Sequence, residues 1–295
     1  MTAHGWAIET AGLTKRFGSV LALDRLDLTV TPGETFGFLG PNGAGKSTTI
    51  RLLLNLIRPD AGTARVHGIP VTDVRRAHRH IGYMPGDVAL WPQLTGTETL
   101  ELFANLAGGV DPAYRTELLE RLQLDPSRRV GTYSRGTRQK LALVVALMTR
   151  ADVLLLDEPT AGLDPLMEEV FQALVREAAG RGQTVFLSSH ILDEVQDLCD
   201  RVAMLREGRL VEVATLDELR RIGATVVELV VDGPVPALAG VPGVASVEPM
   251  PGVLGGLRVT LDGPPAALLR VLADVQVVRL RTPERSLEEA FLAYY

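Results

Sequence analysis

Eight consecutive residues, Gly40-Pro41-Asn42-Gly43-Ala44-Gly45-Lys46-Ser47, carry the spacing G-x-x-x-x-G-K-[ST]. Each part has a chemical reason. Glycines let backbone N–H groups turn inward around phosphate oxygens, and a helix that follows adds its positive end. A lysine at the position of Lys46 reaches the β- and γ-phosphates, and a hydroxyl at Ser47 suits Mg²⁺. Asn42, Gly43, Ala44, Gly45, Lys46, Ser47 and Thr48 are therefore the candidate nucleotide-binding residues. Such a loop points to a nucleoside triphosphate without saying which enzyme uses it.

A second group lies more than a hundred residues on. Val153-Leu154-Leu155-Leu156 is an apolar run that ends in Asp157-Glu158. In open α/β sheets ligands sit outside the carboxyl ends of the strands, so two acids there face a site. Asp157 suits the Mg²⁺ shell, and Glu158 is placed to polarise or deprotonate an attacking water.

The elements that must hold these groups follow from periodicity. Ile8, Val20, Leu21, Leu23, Leu26, Leu28 and Val30 mark two strands around a turn at Phe17-Gly18-Ser19. Glu34–Leu39 reads as a short strand entering the glycine-rich loop. Ile50, Leu53, Leu54 and Ile57 predict a helix after it, stopped by Pro59-Asp60-Ala61-Gly62. Strands are expected near Thr63–Val66 and Ile81–Met84, and helices near Thr97–Leu106, Pro112–Leu122 and Arg135–Thr149. Strands and helices then alternate: Val153–Leu156, Leu166–Ala179, Thr184–Leu187, Ile191–Cys199, Val202–Leu205 and a hairpin turn at Glu207-Gly208. That alternation predicts an α/β domain with a mainly parallel sheet covered on both faces. After residue 222 the composition shifts to Val, Gly and Pro, with turns at Asp232-Gly233-Pro234 and Asp262-Gly263-Pro264-Pro265 and one helix near Pro265–Leu272. The expected organisation is residues 1–222 as the nucleotide-binding domain and 223–295 as a small α+β accessory domain for dimer contact or regulation.

Composition narrows the function classes. A net charge of −6 over 295 residues, without a basic run, offers no surface for nucleic acid. The one cysteine, Cys199, excludes an internal disulfide framework and fits a reducing compartment. Met1–Trp6 lacks a signal-peptide layout, and no apolar run approaches the roughly 20 residues needed to cross a bilayer.

Between the two chemical groups stands Tyr133-Ser134-Arg135-Gly136-Thr137-Arg138-Gln139, which resembles the signature of the ABC ATPases, with Ser134 and Gly136 kept. Ala161-Gly162-Leu163-Asp164 is similar to their D-loop, His190 after Ser188-Ser189 to their switch histidine, and Phe17 falls where the adenine-stacking aromatic is found. The order and spacing hold over residues 7 to about 215. More narrowly, Ile81-Gly82-Tyr83-Met84-Pro85-Gly86-Asp87, the degenerate signature, and Ser286-Leu287-Glu288-Glu289-Ala290-Phe291-Leu292 resemble the daunorubicin-resistance-type exporters of the ABC-2 class. Ser286 to Glu289 is also a capping box opening a final amphipathic helix.

The resemblance implies a P-loop ABC cassette with N-terminal antiparallel strands and a helical signature subdomain. It implies ATP and Mg²⁺ as cofactors, hydrolysis by Glu158 with Lys46 and His190, and a homodimer whose Ser134 and Gly136 meet the ATP held by the other copy. It further implies a separate ABC-2-type transmembrane permease as partner and a peripheral place on the cytoplasmic face of the membrane. The alternative is a non-transport ABC ATPase, such as a translation or DNA-repair factor. Cargo selection would belong to the permease, so no cargo is assigned. Two departures stand out. Gly86-Asp87 replaces the glutamine of the Q-loop, which makes Asp87 a candidate metal-side substitute, and Arg135 and Thr137 replace a glycine and a glutamine of the signature.

Overall fold

Strands Ile8–Phe17 (β1) and Val20–Val30 (β2) pair antiparallel around Gly18-Ser19, with Phe17 opposite Val20. The computed structural model describes residues 5–216, 218, 225–234 and 236–282. β1 also pairs with Ala61–Val66 (β4), whose far side takes the two-residue strand Ile69–Pro70 (β5), giving the order β2-β1-β4-β5.

The central sheet explains the site. Thr35–Leu39 (β3), Ile81–Met84 (β6), Val153–Asp157 (β7), Thr184–Ser189 (β8), Arg201–Arg206 (β9) and Arg209–Thr215 (β10) lie in the order β10-β9-β3-β8-β7-β6. All neighbours run parallel except β10, which turns back on β9 through Glu207-Gly208. Every residue of β3, β7 and β8 is buried. Strands covered on both faces read as continuous apolar runs, which is how they stood out in the sequence. Phe186 of β8 packs beside Phe36 and Phe38 of β3, with ring centroids 5.9 and 5.1 Å apart.

Helices Lys46–Leu53 (α1), Val74–Ala77 (α2), Gly96–Leu106 (α3), Pro112–Arg121 (α4), Arg135–Met148 (α5), Pro165–Gly180 (α6) and Leu192–Leu198 (α7) complete this unit. Their starts follow local chemistry. Thr95 and Glu98 form a reciprocal capping box before α3, Asp111 caps α4 ahead of Pro112, and Ser134 and Asp164 cap α5 and α6. The helix expected to carry Ile57 ends at Leu53. Asn55 adopts a left-handed φ of 51°, a common helix stop, and Ile57 packs on the core from the loop instead. β5, α2 and the 3₁₀ turn at His78–His80 were not legible as elements, being too short for a period to show.

The chain divides into two compact units, Met1–Leu216 and Asp217–Tyr295. In the second, Thr225–Val231 (β11), Val244–Pro249 (β12), Gly256–Leu261 (β13) and Val277–Arg281 (β14) form an antiparallel sheet in the order β12-β13-β11-β14. Ala266–Leu272 (α8) contributes Leu268 and Leu272 to a core with Val227, Leu229, Val259 and Leu261. The amphipathic segment expected at 286–292 lies outside the described residues.

Phe186 is fully buried between two strand-borne rings. Phe186→Ala should cost about 3–5 kcal/mol of unfolding free energy. Denaturant unfolding of the purified chain checks this, and a loss under 1 kcal/mol, of the order of one exposed contact, would contradict the packing.

Candidate functional site

β3, β8 and β7 are adjacent, and each delivers a candidate residue just past its carboxyl end. Leu39 pairs with Ser189 and Ser188 with Asp157, so the glycine-rich loop, His190 and Glu158 leave the sheet side by side. The loop runs from Gly40 into α1, whose N-cap Gly45 has φ 112°, a conformation that L side chains rarely adopt. A Cβ on Gly45 would also lie 2.7 Å from the Ala22 carbonyl oxygen. Asn42 and Gly43 are exposed, Ala44 is buried, and Ser47 and Thr48 are half-buried. The hairpin turn supports the loop from behind, the Gly208 N–H donating to the Ala44 carbonyl at 3.0 Å.

Lys46 is buried, with 4% of its side chain exposed, and its ammonium has three acceptors. It donates to the Gly40 and Pro41 carbonyls at 2.7 and 3.2 Å and lies 3.5 Å from Glu158 Oε1. Burial pulls its pKa below the usual lysine range, and the Glu158 and Asp157 carboxylates oppose that pull. Incoming phosphates would add to that opposition, strengthening the charged form. Glu158 Oε1 also lies 3.4 Å from His190 Nδ1. Lys46, Glu158 and His190 therefore form one contiguous group.

Glu158 is held in an uncommon backbone state, φ 47°, which costs about 1–3 kcal/mol for a side chain of this kind. Its N–H donates to the Ser188 carbonyl (3.1 Å) and hydroxyl (3.2 Å). Its carbonyl accepts from the buried Gln139 side chain at 3.3 Å, which also reaches the Pro159 carbonyl at 3.4 Å. Ser188 donates to Asp157 Oδ1 at 2.5 Å. Ser188 and Gln139 were not among the expected site residues. The signals were present: Ser188 follows the apolar run Val185-Phe186-Leu187 and precedes Ser189-His190, and Gln139 closes the signature-like segment.

Asp157 is 6% exposed and, with the Ser47 hydroxyl, offers oxygen donors of the kind a hard divalent cation takes. Gly86 lies against this strand end, where a Cβ would sit 3.1 Å from the Asp157 carbonyl oxygen and 3.5 Å from its Cγ. Asp87 is exposed and shares a cavity of about 390 Å³ with Arg135, Arg138 and Gln139. Gly86 thus lies against Asp157, and a side chain there would require the strand end to give by a few tenths of an ångström.

The remaining expected residues stand apart from this group. Ser134 is exposed and caps α5, its hydroxyl accepting from the Thr137 N–H at 3.1 Å and lying 2.8 Å from the Thr137 hydroxyl. Gly136 is required within its own chain, because a Cβ there would lie 2.7 Å from the Gly162 carbonyl oxygen. Phe17 ends β1 with 48% of its surface exposed and Lys15 Nζ 5.4 Å from its ring centroid, an open π-face suited to stacking.

Comparison with known proteins adds to this geometry. Residues 23–161 match the family model described as ABC transporter. The daunorubicin/doxorubicin resistance ATP-binding protein DrrA of Streptomyces peucetius is 37% identical over 97% of this chain and 92% of its own length. A Nod factor export ATP-binding protein I of Burkholderia lata is 38% identical over 78% of each chain. Among solved structures, the ATP-binding subunit of an ABC transporter superposes with a TM-score of 0.68 at 31% identity, covering 73% of this chain and 92% of that one. A dimeric ATP-binding cassette in a post-hydrolysis state with ADP and Pi gives a TM-score of 0.65 at 25% identity, covering 71% and 98%.

If phosphates meet Lys46, nucleotide should stabilise the folded chain through it. Mg-ATP at a hundredfold excess over Kd should add about 2.7 kcal/mol to wild-type stability and raise Tm, whereas Lys46→Met should show almost no shift. A wild-type shift in Lys46→Met, read by scanning calorimetry, would contradict the assignment.

Proposed function

Because this chain belongs to the ABC transporter family of ATP-binding ATPases, we propose that it drives export of a substrate through a separate ABC-2-type membrane permease. The observation that carries the chemistry is the contiguous Lys46–Glu158–His190 group at the ends of three adjacent strands. Lys46 and the loop N–H groups bind the phosphates, and Phe17 stacks on the adenine. Glu158 takes a proton from the attacking water, and His190, in reach of the same carboxylate oxygen, orients it. Ser47 and Asp157 are the proposed Mg²⁺ ligands, the ion supplying charge neutralisation at the phosphates. Asp87 is left outside this set, because Gly86 occupies the position against Asp157.

The site is proposed to be shared between two copies. Ser134 is exposed at the start of α5, away from the Lys46 group in the contacts of its own chain, which suits it to the ATP of a second copy. The relatives named for daunorubicin/doxorubicin resistance and for Nod factor export support an export role. Among the described residues no helix is long and apolar enough to cross a membrane, so the membrane path is assigned to a partner, with this chain peripheral on the cytoplasmic face. The second unit, Asp217–Tyr295, has its own apolar core and is proposed to serve dimer contact or regulation.

Sharing has a direct geometric test. Native Cys199 is buried, so two introduced thiols report alone. In an Asn42→Cys/Ser134→Cys chain, mild oxidation with ATP present should yield a disulfide-linked dimer on a non-reducing gel, and far less without nucleotide. Cross-linking within one chain, or none with ATP bound, would contradict the shared site.

A further inference from the structure

Glu158 and His190 meet at 3.4 Å, yet they come from different loops, and neither loop fixes the other through that contact alone. The histidine's own support is thin. Its side chain is 44% exposed, and α7 begins two residues later with Ile191 at the N-cap and no side-chain cap. What anchors the loop is Ser189, which is 2% exposed and accepts the Ile191 N–H at 2.9 Å. Ser189 in turn donates to Glu194 Oε2 at 2.7 Å. The other oxygen of the same carboxylate, Oε1, accepts from the Thr160 hydroxyl, also buried, two residues beyond Glu158.

We propose that Glu194 is a positioning residue, a carboxylate brace that ties the turn bearing Glu158 to the loop bearing His190 and so sets the distance between them. An ionised carboxylate only accepts, so both hydroxyls point their protons at it and both segments are held from one group. The brace works at a distance from the reacting atoms. Glu194 lies in the first turn of α7 and acts through Ser189 and Thr160, each one or two residues from a member of the reacting group. A neutral glutamine has a single acceptor oxygen and an amide that donates, so it cannot serve both hydroxyls in the same way. The proposal rests on the reading of His190 as a partner of Glu158 in hydrolysis.

The test is a double-mutant cycle on the ATPase activity of the full chain, with Glu194→Gln, His190→Ala and the two together. A misplacement of about 1 Å caused by a residue away from the chemistry can cost about 10²-fold in rate, and a smaller shift correspondingly less. Glu194→Gln should therefore lower kcat roughly tenfold with KM for ATP nearly unchanged. On the His190→Ala background it should cost almost nothing further, since the geometry it maintains is already gone. Thr160→Val removes one arm and should show a smaller loss that also vanishes on that background, which keeps the test open if Glu194→Gln folds poorly. Equal, additive losses on both backgrounds would mean a purely structural role and overturn the proposal, as would an unchanged kcat in both Glu194→Gln and Thr160→Val. If His190→Ala itself turned over at the wild-type rate, the reading of His190 would fall, whereas a slow His190→Ala beside an unaffected Glu194→Gln would sink this proposal alone.

Discussion

A lysine ammonium with only 4% of its side chain exposed must be surrounded by acceptors, because a buried charge without partners is costly. Lys46 meets that requirement with two carbonyls of its own loop and the Glu158 carboxylate. This constraint organises the first unit. The loop must fold back over the lysine, so Gly45 takes a backbone state open to glycine, and β7 must end beside β3 with one strand between. β8 fills that gap and brings His190 to the same carboxylate. The apolar strands beneath, with Phe36, Phe38 and Phe186 in contact, keep the three strand ends in register.

The carboxylate that partners the lysine is also the candidate base, and its backbone is strained. A left-handed φ at Glu158 persists because both sides of the residue are tied down, by Ser188 at its N–H and by Gln139 at its carbonyl. Gln139 lies on the helix that Ser134 opens, so a displacement of α5 would act directly on the turn that holds the base. Gly136 adds a second contact between the same helix and the turn that follows Glu158, through Gly162. The first turns of α5 and the segment from Glu158 to Gly162 are thus in direct contact inside one chain.

Much of this was legible in the sequence, for identifiable reasons. The buried parallel strands announced themselves as apolar runs, and the phosphate loop and the Asp157-Glu158 pair depend on local spacing. The caps at Ser134, Asp111 and Asp164 are short-range chemistry that the structure adds to that reading. What escaped were the partners that only topology brings together. Ser188 and Gln139 reach Glu158 from 30 and 19 residues away, and no local pattern specifies such contacts. The stop of α1 at Leu53 was missed because apolar spacing continued to Ile57 while Asn55 turned the chain. Asp87 is a candidate because Gly86-Asp87 stands at the place of the Q-loop glutamine, and of the two it is Gly86 whose backbone lies against Asp157.

We propose above all that Glu158, held against Lys46 and His190, takes the proton from the attacking water. The most direct measurement is single-turnover hydrolysis of bound Mg-ATP by Glu158→Gln, with nucleotide affinity determined on the same sample. Affinity should stay close to wild type while the chemical step slows by about 10²-fold or more. A Glu158→Gln chain that binds ATP normally and cleaves it at the wild-type rate would contradict it.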